Sequence, residues 1–234
     1  MVSPARQLHL PIELAREPTL AEYLPGPNAE AVAAICHTAA GQGEPFIFLF
    51  GPPETGKTHL LQAAGLDAAR RGRHAHYIPL GRPGIEPDIL EDLERLDLVA
   101  LDDLHLIAGQ PVWELAVFDL FNRLRERRRA LVTAAAASPD DLALGLADLR
   151  SRLHWGPRYR LLPLDEADSE TLLRESARSR GMPLAPEVVR YILNHHPRNP
   201  SALLELVAGI DSLSLREQRP PTIPLVRRVM RNEE

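Results

Sequence analysis

The sequence predicts an α/β protein in which a mainly parallel sheet of five strands is followed by a small all-α domain. Between residues 28 and 164, short apolar segments of strand length alternate with segments whose apolar residues recur at helical spacing. Such alternation is typical of a parallel sheet covered by helices. After residue 164 only the helical periodicity continues. We therefore expect a mobile leader over 1–18, an α/β domain over 19–164 and a helical domain over 165–234.

Each predicted element is bounded by a turn or capping signal. Pro45 and Gly51 enclose the apolar run 46–50, which has the composition of a strand buried on both faces. Further strands are predicted at 74–80, 98–101, 131–135 and 159–164. Helices are predicted at 28–40, 57–70, 88–96 and 111–124, and after the sheet at 169–179, 186–194, 201–213 and 225–230. Asp165 or Ser169 would cap the first helix of the second domain.

Composition excludes several classes of function. The formal net charge of -5 gives the chain no overall basic field, which disfavours phosphate-backbone binding as its main activity. A single cysteine, Cys36, permits neither an intramolecular disulfide nor a Cys-rich zinc site. The amino-terminal residues contain no signal-peptide core, and no later segment has the length of a membrane span. A cytoplasmic protein that does not bind membranes is expected.

Residues 51–58, GPPETGKT, match the phosphate-binding motif G-x-x-x-x-G-K-[ST] at every fixed position. They lie between an apolar strand and a helix, where the loop turns its backbone N–H groups towards phosphates. Lys57 would supply a positive charge and Thr58 a hydroxyl ligand for Mg²⁺. A nucleotide and Mg²⁺ are therefore the expected cofactors. The predicted nucleotide contacts here are Gly51, Pro53, Glu54, Thr55, Gly56, Lys57, Thr58 and His59.

Two aspartates follow the apolar run 98–101 and complete the predicted site. A carboxylate at the end of a neighbouring strand can hold the metal ion through water, so Asp102 is the second metal-binding candidate beside Thr58. Asp103 would then polarise a water near the γ-phosphate. It is the candidate catalytic residue within the chain, although an aspartate reaches less far than a glutamate.

The segments GPPETGKTHL, LVALDDLHLIAG, DLRSRLHWG and QLHLPI together resemble the Hda family, bacterial homologues of the AAA+ module of the replication initiator DnaA. The resemblance extends from Gln7 to about Met230. It implies an AAA+ domain with a helical lid, bound ADP or ATP, and two protein partners, DnaA and the DNA polymerase III sliding clamp (β subunit). DNA would be met only indirectly through the clamp, and a homodimer is an open possibility.

The resemblance assigns roles to an arginine and to a short peptide. Arg152 in SRLHWG would act in trans as an arginine finger on nucleotide held by a partner, with Arg150 as the neighbouring contender; the alternative is that both arginines end a helix and contact solvent or Asp148. QLHLPI is similar to peptides that dock on the clamp, whereas the alternative is that this leader packs on its own domain. The candidate clamp contacts are Gln7, Leu8, Leu10, Pro11 and Ile12.

Other positions depart from a self-sufficient ATPase. Alignment with the family places alanine, Ala135 or Ala136, where a polar sensor is usual, and Ser201 where the helical lid usually supplies an arginine. Slow intrinsic hydrolysis, or none, follows from these two losses. The adenine pocket is expected near Leu20, Tyr23, Leu24 and Pro25. The basic run 125–129 is either a solvated helix end or a partner surface.

The combined expectation is a regulatory inactivator that stimulates hydrolysis of DnaA-bound ATP and so negatively regulates the initiation of DNA replication. The absence of a basic helix-turn-helix segment before Glu234 favours this over DnaA itself. Two other classes stay open at this point. One is an autonomous AAA+ ATPase or helicase loader, and the other is a non-catalytic adaptor in which nucleotide has a structural role.

Overall fold

The computed structural model describes residues 18–232, so the candidate clamp peptide at 7–12 lies outside the described part. Five parallel strands form one sheet with the order β2-β3-β4-β1-β5. The strands are β1 (Phe46–Phe50), β2 (Ala75–Pro79), β3 (Leu98–Asp102), β4 (Ala130–Ala135) and β5 (Arg158–Arg160). The predicted five-stranded parallel sheet is confirmed, and β1 has the predicted bounds.

Four α-helices cover the sheet: α1 (Ala29–Ala39), α2 (Lys57–Arg70), α3 (Pro111–Glu126) and α4 (Ala147–Leu153). Apolar side chains of α1 and α2 pack with the sheet in one core cluster, and those of α3 and α4 pack with it in another. Central strands β3 and β4 are buried at every position. A layer of helices on each face explains why these strands are continuous apolar runs rather than alternating ones.

Two predicted elements differ in the structure. Residues 88–96 do not form one helix; they form two 3₁₀ turns, Pro87–Leu90 and Leu93–Arg95, separated where Asp92 adopts a left-handed conformation with φ of 61°. The last strand is shorter than the predicted 159–164, because the chain leaves the sheet after Leu161, whose N–H still donates to the carbonyl of Phe50.

Four further helices follow, α5 (Glu166–Ser179), α6 (Pro186–His195), α7 (Pro200–Glu217) and α8 (Ile223–Asn232). They enclose their own apolar core, on which Leu24 and Leu164 also pack. The Asp165 side chain caps α5 by accepting a hydrogen bond from the N–H of Asp168. Within residues 18–232 no helix combines the length and apolar character that crossing a bilayer would require.

Candidate functional site

The glycine-rich loop lies at the carboxyl end of β1 and leads into α2. Two of its glycines are required by close neighbours as well as by backbone conformation. At Gly51, with φ of 148°, a Cβ would lie 2.4 Å from the carbonyl oxygen of Leu161; at Gly56, with φ of 84°, it would lie 2.5 Å from the Tyr23 ring. No other residue fits at either position. The loop is therefore held between β5 and the segment that precedes α1.

Lys57, the only lysine in the sequence, bridges the loop from the first turn of α2. Its ammonium group donates hydrogen bonds to the carbonyls of Gly51 at 2.9 Å and Pro52 at 2.6 Å. Burial lowers the pKa of Lys57 below its ordinary value, while the carboxylates of Asp102 and Asp103 act in the opposite direction. The loop thus encloses a partly desolvated cation beside two acidic groups.

The metal-ligand candidates Thr58 and Asp102 are in direct contact. Thr58 Oγ1 donates to Asp102 Oδ2 at 2.6 Å, and Asp102 Oδ1 accepts from the N–H of Asp103. The hydroxyl of Tyr77 on β2 also donates to Asp102 Oδ2, at 3.0 Å, a contact that the sequence did not predict. The Asp102 carboxylate is almost fully buried and is satisfied by these three donors.

This donor set fits Mg²⁺, which prefers hydroxyl and carboxylate oxygens and retains water and phosphate ligands. Thr58 and Asp102 would hold the ion. Within residues 18–232 no group of three or more His, Cys, Asp and Glu side chains could hold a metal ion. Phosphate oxygens of a bound nucleotide, together with water, would therefore have to complete the coordination shell.

Asp103 follows β3 in a left-handed conformation, with φ of 57°. Burial, and after it the neighbouring Asp102 carboxylate, raises the pKa of Asp103 above its ordinary value, while His105 and Lys57 lower it. A carboxylate in this position, with a raised pKa and beside the loop lysine, has the features of a group that accepts a proton from water.

A cleft opens between the loop and the lid. It encloses about 480 Å³, including the part open to solvent. Tyr23 and Leu24, both predicted to contact the base, line it, whereas Leu20 packs on the core formed with α1 and α2. The full lining is Glu22, Tyr23, Leu24, Thr55, Gly56, His59, Leu162, Leu164, Leu172, Pro200, Ser201 and Leu204.

Hydrogen bonds attach the cleft wall to the loop. The Tyr23 hydroxyl donates to the carbonyl of Thr55 at 2.9 Å, and burial raises the pKa of Tyr23 to about 12. Asn28, only 4% exposed, exchanges two hydrogen bonds with the backbone of Leu162 and donates a third to the Tyr23 hydroxyl. His59 is held through a 2.9 Å contact of its Nε2 with the carbonyl of Thr19.

The two positions expected to lack sensor groups lie at the end of β4 and on the wall of the cleft. Ala135 ends β4 beside Phe50 of β1 and is fully buried, and Ala136 follows it. Ser201, at the start of α7, lines the cleft. The nearby Arg198 contacts Glu166 and the carbonyl of Leu193 within the lid. Neither position carries a charged or long polar side chain.

Arg152 lies at the other end of the sheet. It lines a small pocket with Phe46, the first residue of β1, whereas the loop follows the last residue of that strand. Five residues of parallel strand span about 13 Å. The Arg152 guanidinium carbon lies 4.3 Å from the centroid of the exposed Trp155 ring. Within residues 18–232 its guanidinium has no carboxylate or hydrogen-bond partner, and its Nε is buried.

The other candidate arginines have contacts that differ from those of Arg152. Arg150 donates at 2.6 Å to the carbonyl of Leu144 in its own chain. The basic run is also divided: Arg129 contacts Asp97, Arg125 lies over Trp155 at 4.8 Å, and Arg127 is exposed. The run is thus neither wholly a solvated helix end nor a single charged surface.

Four residues that organise these sites were not singled out from the sequence: Asn28, Tyr77, Glu114 and Trp155. Glu114 is 1% exposed, and its carboxylate accepts from the N–H groups of Gly109, Gly145 and Leu146. It joins the segment after β3 to the segment that enters α4. Only Trp155 had a local signal, as a large aromatic residue beside Arg152.

Comparisons with known proteins fall on both parts of the chain. Residues 165–230 match the family model described as Hda, lid domain. Replication initiator DnaA bound to AMPPCP and single-stranded DNA is similar with a TM-score of 0.72 and 25% identity, over 86% of this chain and 68% of that one. Domain III of DnaA from Thermotoga maritima is similar with a TM-score of 0.76 and 20% identity, over 92% of this chain and 96% of that one. AMPPCP-bound DnaA from Aquifex aeolicus is similar with a TM-score of 0.74 and 24% identity, over 93% of this chain and 69% of that one.

These similarities agree with each other. The α/β part, with its glycine loop and parallel sheet, has the architecture of the DnaA AAA+ domain, and the four helices after Asp165 match the lid of the Hda family. The chain is therefore similar to Hda-like homologues of DnaA, with the fold of the AAA+ class.

Proposed function

We propose that this chain is a regulatory inactivator of DnaA: it binds adenine nucleotide, docks on the DNA polymerase sliding clamp and stimulates hydrolysis of DnaA-bound ATP. Replication initiation would thereby be negatively regulated. The observation that carries the proposal is the state of Arg152, an arginine without a carboxylate partner in residues 18–232, held on an exposed ring far from the chain's own loop. An arginine so placed is available to nucleotide on another molecule.

Nucleotide binding is supported by the loop geometry and by the neighbours, two of which hold AMPPCP. The backbone amides and Lys57 would bind the phosphates, Thr58 and Asp102 would hold Mg²⁺, and Tyr23 and Leu24 would contact the base. Mg²⁺ would neutralise charge on the phosphate chain. Pro53, Glu54, Thr55, Gly56 and His59 would complete the nucleotide contacts.

We infer that ADP is the working ligand and that intrinsic hydrolysis is weak or absent. Ala135 has no polar group that could orient a water, and Ser201 supplies no positive charge that could stabilise a γ-phosphate. Asp103 alone would polarise the attacking water. In contrast, a guanidinium supplied to DnaA from Arg152 would stabilise the transferring group, an effect worth about 10³- to 10⁵-fold in other nucleotide hydrolases.

The decisive experiment measures hydrolysis of ATP bound to DnaA in the presence of clamp loaded on DNA. Arg152→Ala is expected to lower the stimulated rate about 10³-fold, to near the unstimulated rate. Arg127→Ala, which removes an exposed arginine of the basic run, is the matched control and should stimulate like the wild type. Arg150→Ala tests directly whether Arg150, the alternative candidate for the arginine finger, is required for stimulation.

Equal stimulation by the wild type and Arg152→Ala would reject the catalytic proposal. If both proteins still bound nucleotide and DnaA, the function left would be that of an adaptor in which nucleotide only stabilises the structure. If neither stimulated hydrolysis while the wild type hydrolysed free ATP, an autonomous ATPase would be favoured.

Clamp docking is proposed through Gln7, Leu8, Leu10, Pro11 and Ile12. A peptide of this kind places a side-chain amide at the edge of a groove and apolar side chains in a pocket. Gln7→Ala combined with Ile12→Ala should abolish capture by immobilised clamp. Glu13→Ala, immediately after the peptide, is the control that should retain binding. Undiminished capture of the double variant would dismiss this part of the proposal.

A further inference from the structure

The exposed ring of Trp155 is approached by two guanidinium groups. Its side chain is 53% exposed, and the guanidinium carbons of Arg152 and Arg125 lie 4.3 Å and 4.8 Å from its ring centroid. Arg125 comes from the last turn of α3 and Arg152 from the last turn of α4. Cations within about 6 Å of an indole face are attracted to it, so one ring gathers two positive charges from separate helices.

The ring is held in place by the core of the α/β part. Trp155 meets Phe121 edge-on, with centroids 6.0 Å apart, and Phe121 stacks on Phe46 at 4.2 Å. The next residue, Gly156, lies so close to the carbonyl of Phe46 that no Cβ could be added. These contacts fix the position of Trp155 relative to β1, so the ring offers a rigid support to two long, flexible side chains.

Within the described residues, Arg125 and Arg152 have no carboxylate partner of the kind that neighbouring arginines have. Arg123 pairs with Glu94 and Arg129 with Asp97, whereas within the described residues neither Arg125 nor Arg152 meets a carboxylate. Two like charges on one ring repel each other. A polyanion between them would relieve the repulsion, and phosphate oxygens match the planar donor fork of a guanidinium.

We propose that Trp155, Arg125 and Arg152 form one site for the phosphate chain of the nucleotide that a partner presents, with Trp155 as the positioning residue and Arg125 as a second phosphate-binding cation. This inference rests on the proposed function of Arg152. Trp155 limits the freedom of both arginines before the partner arrives, and a contact formed in advance costs less on binding. Arg125 binds the phosphate chain beside the transferring group that Arg152 stabilises.

The test is the rate of hydrolysis of DnaA-bound ATP as a function of the concentration of the chain, with clamp loaded on DNA. Removing the cation–π support in Trp155→Ala should lower the maximal rate about 5- to 30-fold, with a smaller change in the half-saturating concentration. Trp155→Phe, which keeps an aromatic face, should recover most of the rate. Arg125→Gln should lower the maximal rate about 5-fold, and the exposed Arg127→Gln should leave it unchanged.

A fluorescence measurement on the isolated chain tests the positioning role of Trp155 without an activity assay. The sequence has two tryptophans, and Trp113 is largely buried, so Trp155 is the more accessible to acrylamide. Arg152→Ala and Arg125→Gln should each increase quenching, because each removes a group that covers the ring. Unchanged quenching in both variants would overturn the positioning role.

The outcomes distinguish this inference from the function on which it rests. Loss of stimulation in Arg152→Ala, with wild-type maximal rates in Trp155→Ala and Arg125→Gln, would overturn the inference and leave the proposed function intact. Wild-type stimulation by Arg152→Ala would overturn both. If Trp155→Ala failed to fold in a thermal melt, Arg125→Gln would decide the question, because its side chain is only partly buried and lies outside the core clusters.

Discussion

Thr58 Oγ1, in the first turn of α2, donates a 2.6 Å hydrogen bond to Asp102 Oδ2 at the end of β3. A hydroxyl and a carboxylate that are 44 residues apart in the chain are thus brought together. Tyr77 adds a second donor to the same oxygen. The hydrogen bond between Thr58 and Asp102 connects the glycine loop to β3.

Removing the hydroxyl should weaken nucleotide binding only when Mg²⁺ is present. Thr58→Ala is expected to lower the affinity for a fluorescent ADP analogue at least about tenfold, equivalent to ~1.4 kcal/mol, because it loses an oxygen ligand. With EDTA the affinity should match that of the wild type. Thr58→Ser keeps the hydroxyl and is the control. A similar loss with and without Mg²⁺ would contradict the ligand role.

Bound nucleotide should protect Lys57 from modification by an amine-reactive reagent. Burial lowers its pKa, so more of it is neutral and reactive under mildly alkaline conditions, and no other lysine competes. Added ADP and Mg²⁺ should protect it. Peptide mass spectrometry separates Lys57 from the amino terminus, whose labelling is the internal control. Equal labelling with and without nucleotide would exclude phosphate contact at Lys57.

Tyr23 predicts a specific alkaline dependence of stability. Folding raises its pKa from 10.0 to about 12, so its neutral form stabilises the folded protein fully below pH 10. This contribution is lost as the pH rises from 10 to about 12. Tyr23→Phe cannot ionise, and its free energy of unfolding should therefore fall less than that of the wild type over this window. Parallel pH profiles from urea denaturation would contradict the burial of this hydroxyl.

Asn28 should be important for stability and for the cleft together. Asn28→Ala removes three hydrogen bonds and leaves the N–H and carbonyl of Leu162 without their side-chain partner. We expect a loss of about 2–4 kcal/mol in the free energy of unfolding, measured in urea, and weaker nucleotide binding. The exposed Asn194→Ala should change stability by no more than about 0.5 kcal/mol. An equally small effect at Asn28 would rule out its bridging role.

Glu114 should couple stability to stimulation in trans. Glu114→Ala leaves the N–H groups of Gly109, Gly145 and Leu146 without an acceptor, at a cost of about 3–5 kcal/mol in unfolding free energy. Because two of these groups lie just before α4, stimulation of DnaA should fall even where the protein is folded. Glu114→Gln should retain part of both properties, and the exposed Glu126→Ala all of them. Full stimulation by folded Glu114→Ala would contradict the coupling.

Locally encoded features were well predicted from the sequence. The bounds of β1 and α2 follow from Pro45 and Gly51 and from the glycine loop, and both elements match the prediction. The segment 88–96 was predicted wrongly as one helix because its spacing is helical while Asp92 adopts a left-handed conformation. The fifth strand was predicted too long, since its end depends on where Asn28 takes over the backbone of Leu162.

The organisation of the candidate site could be predicted less well from the sequence. Asn28 and Leu162 are 134 residues apart, and Glu114 meets Gly145 and Leu146 across more than thirty residues. Such pairs are set by tertiary packing and leave no periodic signal in the sequence. The two guanidinium groups on Trp155 likewise belong to different helices, which explains why the basic run at 125–129 seemed to be one feature when read along the chain.

The opposite placement of the glycine loop and Arg152, at the two ends of β1, gives the molecule a polarity. Under the proposed function, one end would receive a phosphate chain and the other would offer a cation to one, so the two ends would be complementary and unlike each other. Contacts built on this complementarity are head-to-tail and do not close as a two-fold pair. If Arg152 contacts DnaA as proposed, that single contact leaves the loop end of this chain available to a further subunit.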